Sequence, residues 1–172
     1  TMSSNINLSR SWKNSFFNNL NLSLRHSQNI TTNNVNLILP DISLNSKRVY
    51  PFKLIGRLAK SNWYDKISIK YGMNTKNTIS TTDSLLFKKN SISKFRNGMI
   101  HNIPITTSIK ILKYLNLTPS FNLKERWYLN QINKKWDSEY SIIKTDTIHK
   151  FTRAHDYNLS ASLNTKIYGL KE

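Results

Sequence analysis

The chain has 172 residues, 38% of them hydrophobic, with no cysteine and with 26 Lys and Arg against 9 Asp and Glu, a formal net charge of +17. Lack of cysteine excludes a disulfide framework and a thiolate metal centre. No run of about 18 apolar residues is present, which excludes a transmembrane helix but leaves transmembrane strands open.

The basic excess attracts polyanions, either nucleic acid or the phosphates of lipid headgroups. Its scatter along the chain fits solvated loop lysines equally well. No charged and then apolar leader opens the chain, and it stops just after a strand pattern. The sequence therefore reads as an internal piece of a longer protein.

In residues 5–12, Ile6, Leu8 and Trp12 share a parity interrupted only by Arg10, giving a first strand followed by a turn at 12–15. In 16–26, Leu20, Leu22 and Leu24 alternate with Asn19, Asn21, Ser23 and Arg25. Side chains alternate between the faces of a strand, so this period of two describes one apolar and one polar side. Residues 28–33 are polar and form the next turn. Val35, Leu37 and Leu39 are odd-numbered, but after Pro40 and Asp41 the apolar positions become even at Ile42 and Leu44. One extra residue flips the faces, and proline cannot donate to a ladder, so this switch predicts a β-bulge in a single kinked strand.

Residues 47–66 carry Pro51, Gly56 and clustered aromatic and basic residues, and read as a connection. Ile67, Ile69, Tyr71 and Met73 restore the alternation for a fourth strand. Residues 74–99 read as a long excursion, in which Thr82 and Asp83 are placed to cap a short helix before Leu85, Leu86 and Phe87. The clearest pattern follows in 100–123. There Ile103, Ile105, Ile109, Ile111, Leu115, Leu117, Phe121 and Leu123 are odd, while Asn102, Thr106, Ser108, Lys110, Asn116, Thr118, Ser120 and Asn122 are even. Two amphipathic strands joined tightly at Lys113 and Tyr114 make a hairpin. Residues 124–150 form a second excursion, where Leu129, Ile132 and Trp136 fit either a helical turn or an extension of the strand. Finally Tyr157, Leu159, Ala161, Leu163 and Ile167 alternate with Asp156, Asn158, Ser160, Ser162, Asn164 and Lys166, which makes about seven strands.

The expected fold is all-β, an antiparallel meander forming part of a transmembrane β-barrel with long loops, a single partial barrel segment over 1–172. The alternating runs approach the roughly 9–11 residues with which a tilted strand crosses a bilayer. Trp12, Phe16, Phe17, Tyr50, Phe52, Trp63, Tyr64, Tyr114, Trp127, Tyr128, Phe151 and Tyr168 fall at or just beyond strand ends, as two aromatic girdles around an aliphatic band would. The competing architecture is a soluble sandwich whose loop aromatics cap its open ends. Short links near Trp12, Lys113 and Gly169 belong to one side of the sheet, and the two excursions to the other. The connection 47–66 breaks this rule, because parity places it among the short links. Free sheet edges leave backbone groups unpaired in lipid, so further strands are expected beyond these seven.

On this reading Asn19, Asn21, Arg25, Lys70, Thr106, Lys110, Asn122, Asn158 and Lys166 line a wet lumen. Leu20, Leu22, Leu24, Leu37, Ile67, Ile69, Ile103, Ile105, Ile109, Leu117, Phe121, Leu159 and Leu163 face lipid. The basic loop residues Lys88, Lys89, Lys94, Arg96, Lys134 and Lys135 are expected to meet anionic headgroups. No catalytic, cofactor or metal site is expected. His26, His101, His149 and His155 show no metal-ligand spacing and are assigned to loops or the lumen, with His155 and Asp156 on opposite faces of a strand. Four glycines form no phosphate cradle, and no serine nucleophile elbow is present.

The segments NVNLILPDISLNSKRVYPF (34–52), NWYDKISIKYGM (62–73), LFKKNSISKFRNGMIHNIPITTSIKILKYLNLTPSFNLKERWYLNQINKKWD (86–137) and FTRAHDYNLSASLNTKIYGL (151–170) resemble the central barrel region of the LptD family of lipopolysaccharide-assembly proteins, in the form found in Bacteroidetes. The resemblance spans roughly 35–170. It implies an outer-membrane barrel that receives lipopolysaccharide from a periplasmic bridge and releases it into the outer leaflet. It also implies an amino-terminal jellyroll that delivers the lipid and a lipoprotein plug in the lumen. The partners implied are thus lipopolysaccharide, outer-membrane lipid, the plug and the bridge proteins. A porin or an uptake receptor is the alternative within the same compartment. A soluble basic β-domain binding nucleic acid is the alternative outside it, but that reading needs stacking aromatics in mid-strand beside lysines, where this chain has aliphatics.

Overall fold

The structure, a computed structural model, describes residues 1–55, 62–86, 88, 91, 95–111 and 114–165. Its strands are β1 (Met2–Ser11), β2 (Phe17–Asn29), β3 (Asn34–Ser46), β4 (Ser68–Ile69), β5 (Gly72–Thr82), β6 (Arg96–Thr106), β7 (Ile109–Ile111), β8 (Leu115–Tyr128), β9 (Gln131–Asp137), β10 (Ile142–Ile148) and β11 (Thr152–Thr165). A single antiparallel sheet runs β1-β2-β3-β5-β6-β8-β11, with β4 beside β6 and β7 beside β8, while β9 and β10 pair with each other. Every neighbour in the main path is a sequence neighbour, so the sheet is a meander of the seven alternating segments. Residues 124–150 settle as strand rather than helix: β8 extends to Tyr128 and β9–β10 adds a second hairpin.

The excursion expected over 74–99 is shorter than its polarity suggested. β5 continues to Thr82 and β6 starts at Arg96, so Asn74, Lys76, Thr78 and Ser80 are strand residues. The stretch reads as loop because Asn74, Thr75, Lys76, Asn77 and Thr78 make both of its faces polar; pairing with Ser43, Asp41, Ile38 and Asn36 of β3 holds Asn74, Lys76, Thr78 and Ser80 in the ladder. Thr82 does precede a short 3-10 helix, Asp83–Leu85, without a side-chain cap hydrogen bond. Phe87 lies outside the described residues, as do Lys113, Ile167, Tyr168 and Gly169.

The bulge expected at Pro40 is present, and both flanking strands register it. Ser23 and Arg25 of β2 pair with Asp41 and Ile38, and Lys76 and Thr78 of β5 pair with the same two residues. On each side β3 uses one residue more than its partner. That residue moves Val35 and Leu37 onto the face that carries Ile42 and Leu44.

Two other prolines interrupt the ladder without shifting it. Ile105 pairs with Phe121 and Ile109 with Leu117, so the register passes unchanged through Thr107 and Ser108, where β6 gives way to β7. Opposite them, Thr107 donates its N–H to the Pro119 carbonyl at 3.2 Å, and Pro119 has no N–H to return. The gap between β4 and β5 has the same cause. Lys70 donates to the Pro104 carbonyl at 3.1 Å and receives nothing back, yet Ile69–Ile105 and Gly72–Asn102 keep one register.

The paired rows also slope. One row contains Arg10, Leu20, Leu44, Met73, His101, Glu125 and His155. From it β1 ends at the next residue, Ser11, whereas in the same direction β8 reaches back to Leu115 and β11 runs on to Thr165. A steady stagger of this kind is what strands tilted to a barrel axis require.

The turn around Trp12–Phe16, the connection 47–67 and the tip of the β7–β8 hairpin lie at one end of the sheet. The turn at 30–33, the link 83–95 and the β9–β10 hairpin lie at the other. The connection therefore keeps the anomalous place that parity gave it.

Candidate functional site: two opposite faces of one sheet

Residues paired across an antiparallel ladder put their side chains on the same face, so the register sorts the whole sheet. Leu20, Leu22 and Leu24 of β2, Leu37 of β3, Ile69 of β4, Ile103 and Ile105 of β6, Ile109 of β7, Leu117 and Phe121 of β8, and Leu159 and Leu163 of β11 share one face. Asn19, Asn21, Arg25, Thr106, Lys110, Asn122 and Asn158 share the other. Lys70 sits in the Pro104 gap, in register with the polar positions. Lys166 lies outside the described residues. Ile67 departs from the expectation: it is not a strand residue but ends the 3-10 helix Trp63–Lys66, donating its N–H to the Tyr64 carbonyl.

Among the described residues no second sheet lies over the apolar face. Among these residues only Val35 and Ile79, near its end at the turn 30–33, are buried hydrophobics, while Leu8, Leu159 and Leu163, on the two outer strands, are 63%, 75% and 58% exposed. A soluble sandwich would bury these positions beneath a second sheet about 10 Å away. The one other sheet among the described residues is the β9–β10 hairpin, which prolongs β8 and β11 instead of packing across them.

The polar face is knitted by its own side chains. Arg25 Nη2 meets Asp41 Oδ2 at 3.4 Å, and Arg25 Nε donates to Ser23 Oγ at 3.1 Å. The Ser68 and Thr106 hydroxyls lie 2.9 Å apart, those of Ser120 and Ser160 2.7 Å apart, and Arg126 pairs with Asp156. Among the described residues the buried Oδ1 atoms of Asn102 and Asn122 have no hydrogen-bond partner, which leaves acceptor capacity on this surface.

A second grouping on the apolar face escaped the sequence reading. The Tyr71 hydroxyl is 2.7 Å from His101 Nδ1, the His101 and Trp127 rings are 4.2 Å apart, and Phe151 meets Trp127 edge-on at 5.9 Å. Beside them Arg153 Nε reaches Glu125 Oε1 at 3.4 Å, and His155 pairs with Glu125 across the ladder. His26, His101 and His155 thus lie on the aliphatic side, which corrects their assignment to loops or the polar side. His149, between β10 and β11, is a loop residue with Nδ1 2.8 Å from Asn130 Oδ1. The signal was available, since His101, Glu125 and Trp127 have the odd parity of Ile103, Leu123 and Phe121. His155 and Asp156 fall on opposite faces as adjacent strand residues must.

The slope of the rows explains this grouping. In the row through Leu20 and His101, the aliphatic side chains of β2 and β3 lie on the β9–β10 side of the sheet, and those of β6, β8 and β11 lie towards the β7–β8 tip. One aliphatic band therefore crosses the rows diagonally, and the Tyr71–His101–Glu125–Trp127–Arg153 group borders it.

Of the basic positions assigned to loops, Lys88 is exposed, Lys134 and Lys135 are exposed strand residues of β9, and Arg96 opens β6 on the polar face. Lys89 and Lys94 lie outside the described residues.

Over residues 1–172 the chain matches the protein family described as LptD protein. The chain belongs to the LptD family. LptD proteins serve lipopolysaccharide transport and outer-membrane assembly rather than catalysis, and the two-faced all-β sheet agrees with that membership. No curated protein and no solved structure matches the chain.

Proposed function

We propose that this sheet is a sector of the wall of an outer-membrane barrel through which lipopolysaccharide is translocated and inserted into the outer leaflet. The aliphatic face meets hydrocarbon and the polar face lines the lumen. One observation carries the reading: every aliphatic side chain expected to face lipid that pairs in the ladder lies on one face, every Asn, Thr, Lys and Arg expected in the lumen that pairs lies on the other, and among the described residues no second sheet covers the aliphatic face. In lipid an uncovered aliphatic face is at its lowest free energy, whereas in water it is an aggregation hazard.

The outer edges of β1 and β11 are unpaired among the described residues, and the reading requires other strands of the barrel to satisfy them. On the lumenal side Asn19, Asn21, Asn122 and Asn158, together with Arg25, Thr106 and Lys110, suit the sugar hydroxyls and phosphates of lipopolysaccharide, or the surface of a lipoprotein plug. Periplasmic bridge proteins deliver the lipid on the same reading.

Adjacent positions supply the test, helped by the absence of native cysteine in this chain. Cysteine is placed at Leu117, Thr118, Leu159 or Ser160 of the intact protein in its membrane. Labelling by a water-soluble maleimide is expected at 118 and 160, and protection by the bilayer at 117 and 159. Equal labelling of both members of each pair overturns the assignment.

A further inference from the structure

The connection 47–67 is the long link at the wrong end of the sheet, and its composition says what it does there. It is helical at Pro51–Ile55 and again at Trp63–Lys66. Tyr64 joins the two pieces, edge-on to Phe52 at 6.2 Å and to Trp63 at 6.0 Å. Burial does not explain these rings, since Phe52 is 42% and Trp63 58% exposed. Pro51, the first residue of the first piece, helps line an open hollow of about 580 Å³ on the aliphatic face, together with Phe16, Phe17, Val49, Ile69 and Ile103.

The charge is as one-sided as the surface. Arg48, Lys53 and Lys66 are exposed, and none of them has a carboxylate partner among the described residues. The sole acidic residue of 47–67, Asp65, is occupied in accepting the Asn62 N–H at 2.7 Å. Exposed Trp and Tyr with unpaired cations, on a segment whose Pro51 lines an apolar hollow, match an amphiphile with a phosphate head and acyl chains. A protein partner would have to leave three cations unpaired or bring three carboxylates.

We infer that the helical pieces Pro51–Ile55 and Trp63–Lys66 anchor the barrel rim at the bilayer surface by holding an anionic phospholipid, an acyl chain in the Phe16–Ile103 hollow and the headgroup phosphate on Lys53 and Lys66. This rests on the proposed outward orientation of the aliphatic face. The anchor makes the long link on the short-link side part of the membrane-facing surface.

The intact protein is reconstituted into phosphatidylcholine vesicles containing a minor fraction of phosphatidylglycerol, with brominated chains placed on one lipid or the other at equal mole fraction. The difference in quenching between wild type and Trp63→Phe reports Trp63 alone. Brominated phosphatidylglycerol is expected to quench Trp63 about twofold or more beyond brominated phosphatidylcholine, and the combined Lys53→Gln and Lys66→Gln variant to abolish the excess, at about fivefold in lipid partition per lysine. Native mass spectrometry of the extracted wild type is expected to show retained phosphatidylglycerol that the variant lacks. Equal quenching by both lipids overturns the site while leaving the wall intact. Stronger displacement of phosphatidylglycerol by added lipopolysaccharide than by added phosphatidylglycerol also overturns it. Failure of the protein to float with the vesicles overturns the wall reading itself.

Discussion

β3 around Pro40 and β8 around Pro119 each place a proline inside a paired strand, and the sheet accommodates them in opposite ways. At Pro40 the strand takes an extra residue, the register slips against both neighbours, and the apolar parity changes from odd to even. At Pro119 the register holds, and the cost is one missing hydrogen bond that divides β6 from β7. Whether apolar parity survives a proline therefore distinguishes a bulge from a gap, and the sequence carries that information without coordinates.

The strongest way to break the comparison is to exchange the two solutions. Inserting one residue between Thr118 and Pro119 throws Leu115 and Leu117 onto the polar face, and deleting Pro40 does the same to Val35 and Leu37. Each misplaced side chain costs about 1.5–3 kcal/mol, and a slipped register misplaces several together. Neither variant is expected to give a folded, heat-modifiable barrel on a gel.

A milder test uses the parity that β8 preserves. Leu117→Arg is expected to cost about 2–4 kcal/mol in denaturant refolding into lipid, as a charge near mid-bilayer does. Thr118→Arg, on the polar face, is expected to stay within about 0.5 kcal/mol. Equal costs would mean that the faces are not chemically distinct.

Replacing the prolines sharpens the distinction further. In Pro119→Thr the regained ladder bond contributes about 0.5–1.5 kcal/mol. The chain entropy that proline no longer removes offsets about 0.4–1 kcal/mol of it. The readout is therefore hydrogen exchange: the new amide at 119 is expected to be protected, and the corresponding amide in Pro40→Thr to exchange freely.

The smallest effect concerns a slip without proline. β9–β10 continues β8–β11, but Gln131–Ile148 and Tyr128–Thr152 differ in register by one residue, which lies between Ile148 and Thr152. Beyond that slip the ion pair of half-buried Asp137 with exposed Lys144, and the N–H groups of Glu139 and Tyr140, hold the hairpin turn. The Lys144 hydrogen bond, with help from the two backbone N–H groups, keeps the Asp137 carboxyl below its ordinary value. A depressed carboxylate contributes its stabilisation above the unfolded pKa of about 3.9 and loses it as pH falls through the lower folded value. The protection factor of the turn amides, the exchange rate corrected for its intrinsic pH dependence, is expected to be constant from neutral pH down to about 5 and to fall in stronger acid, with Asp137→Asn already poorly protected at neutral pH.

Most of the fold was legible because a sheet with two unlike faces writes itself as alternation. Residues 100–123 and 156–164 needed nothing else. Where both faces of a segment are polar, as at Asn74–Lys76–Thr78, the alternation vanishes and β5 looked like loop, although its partners in β3 fix it. The His101–Trp127 group was hidden for another reason. Polar residues of aliphatic parity read as noise until the diagonal course of the band shows that they lie beyond its border.

Because the rows climb across the sheet, hydrogen-bonded neighbours occupy different depths, like successive points on a screw thread. Leu20 and His155 share a row, yet in the proposed wall one is submerged while the other stands near the waterline. Tolerance to charge should accordingly follow a spiral contour around the wall.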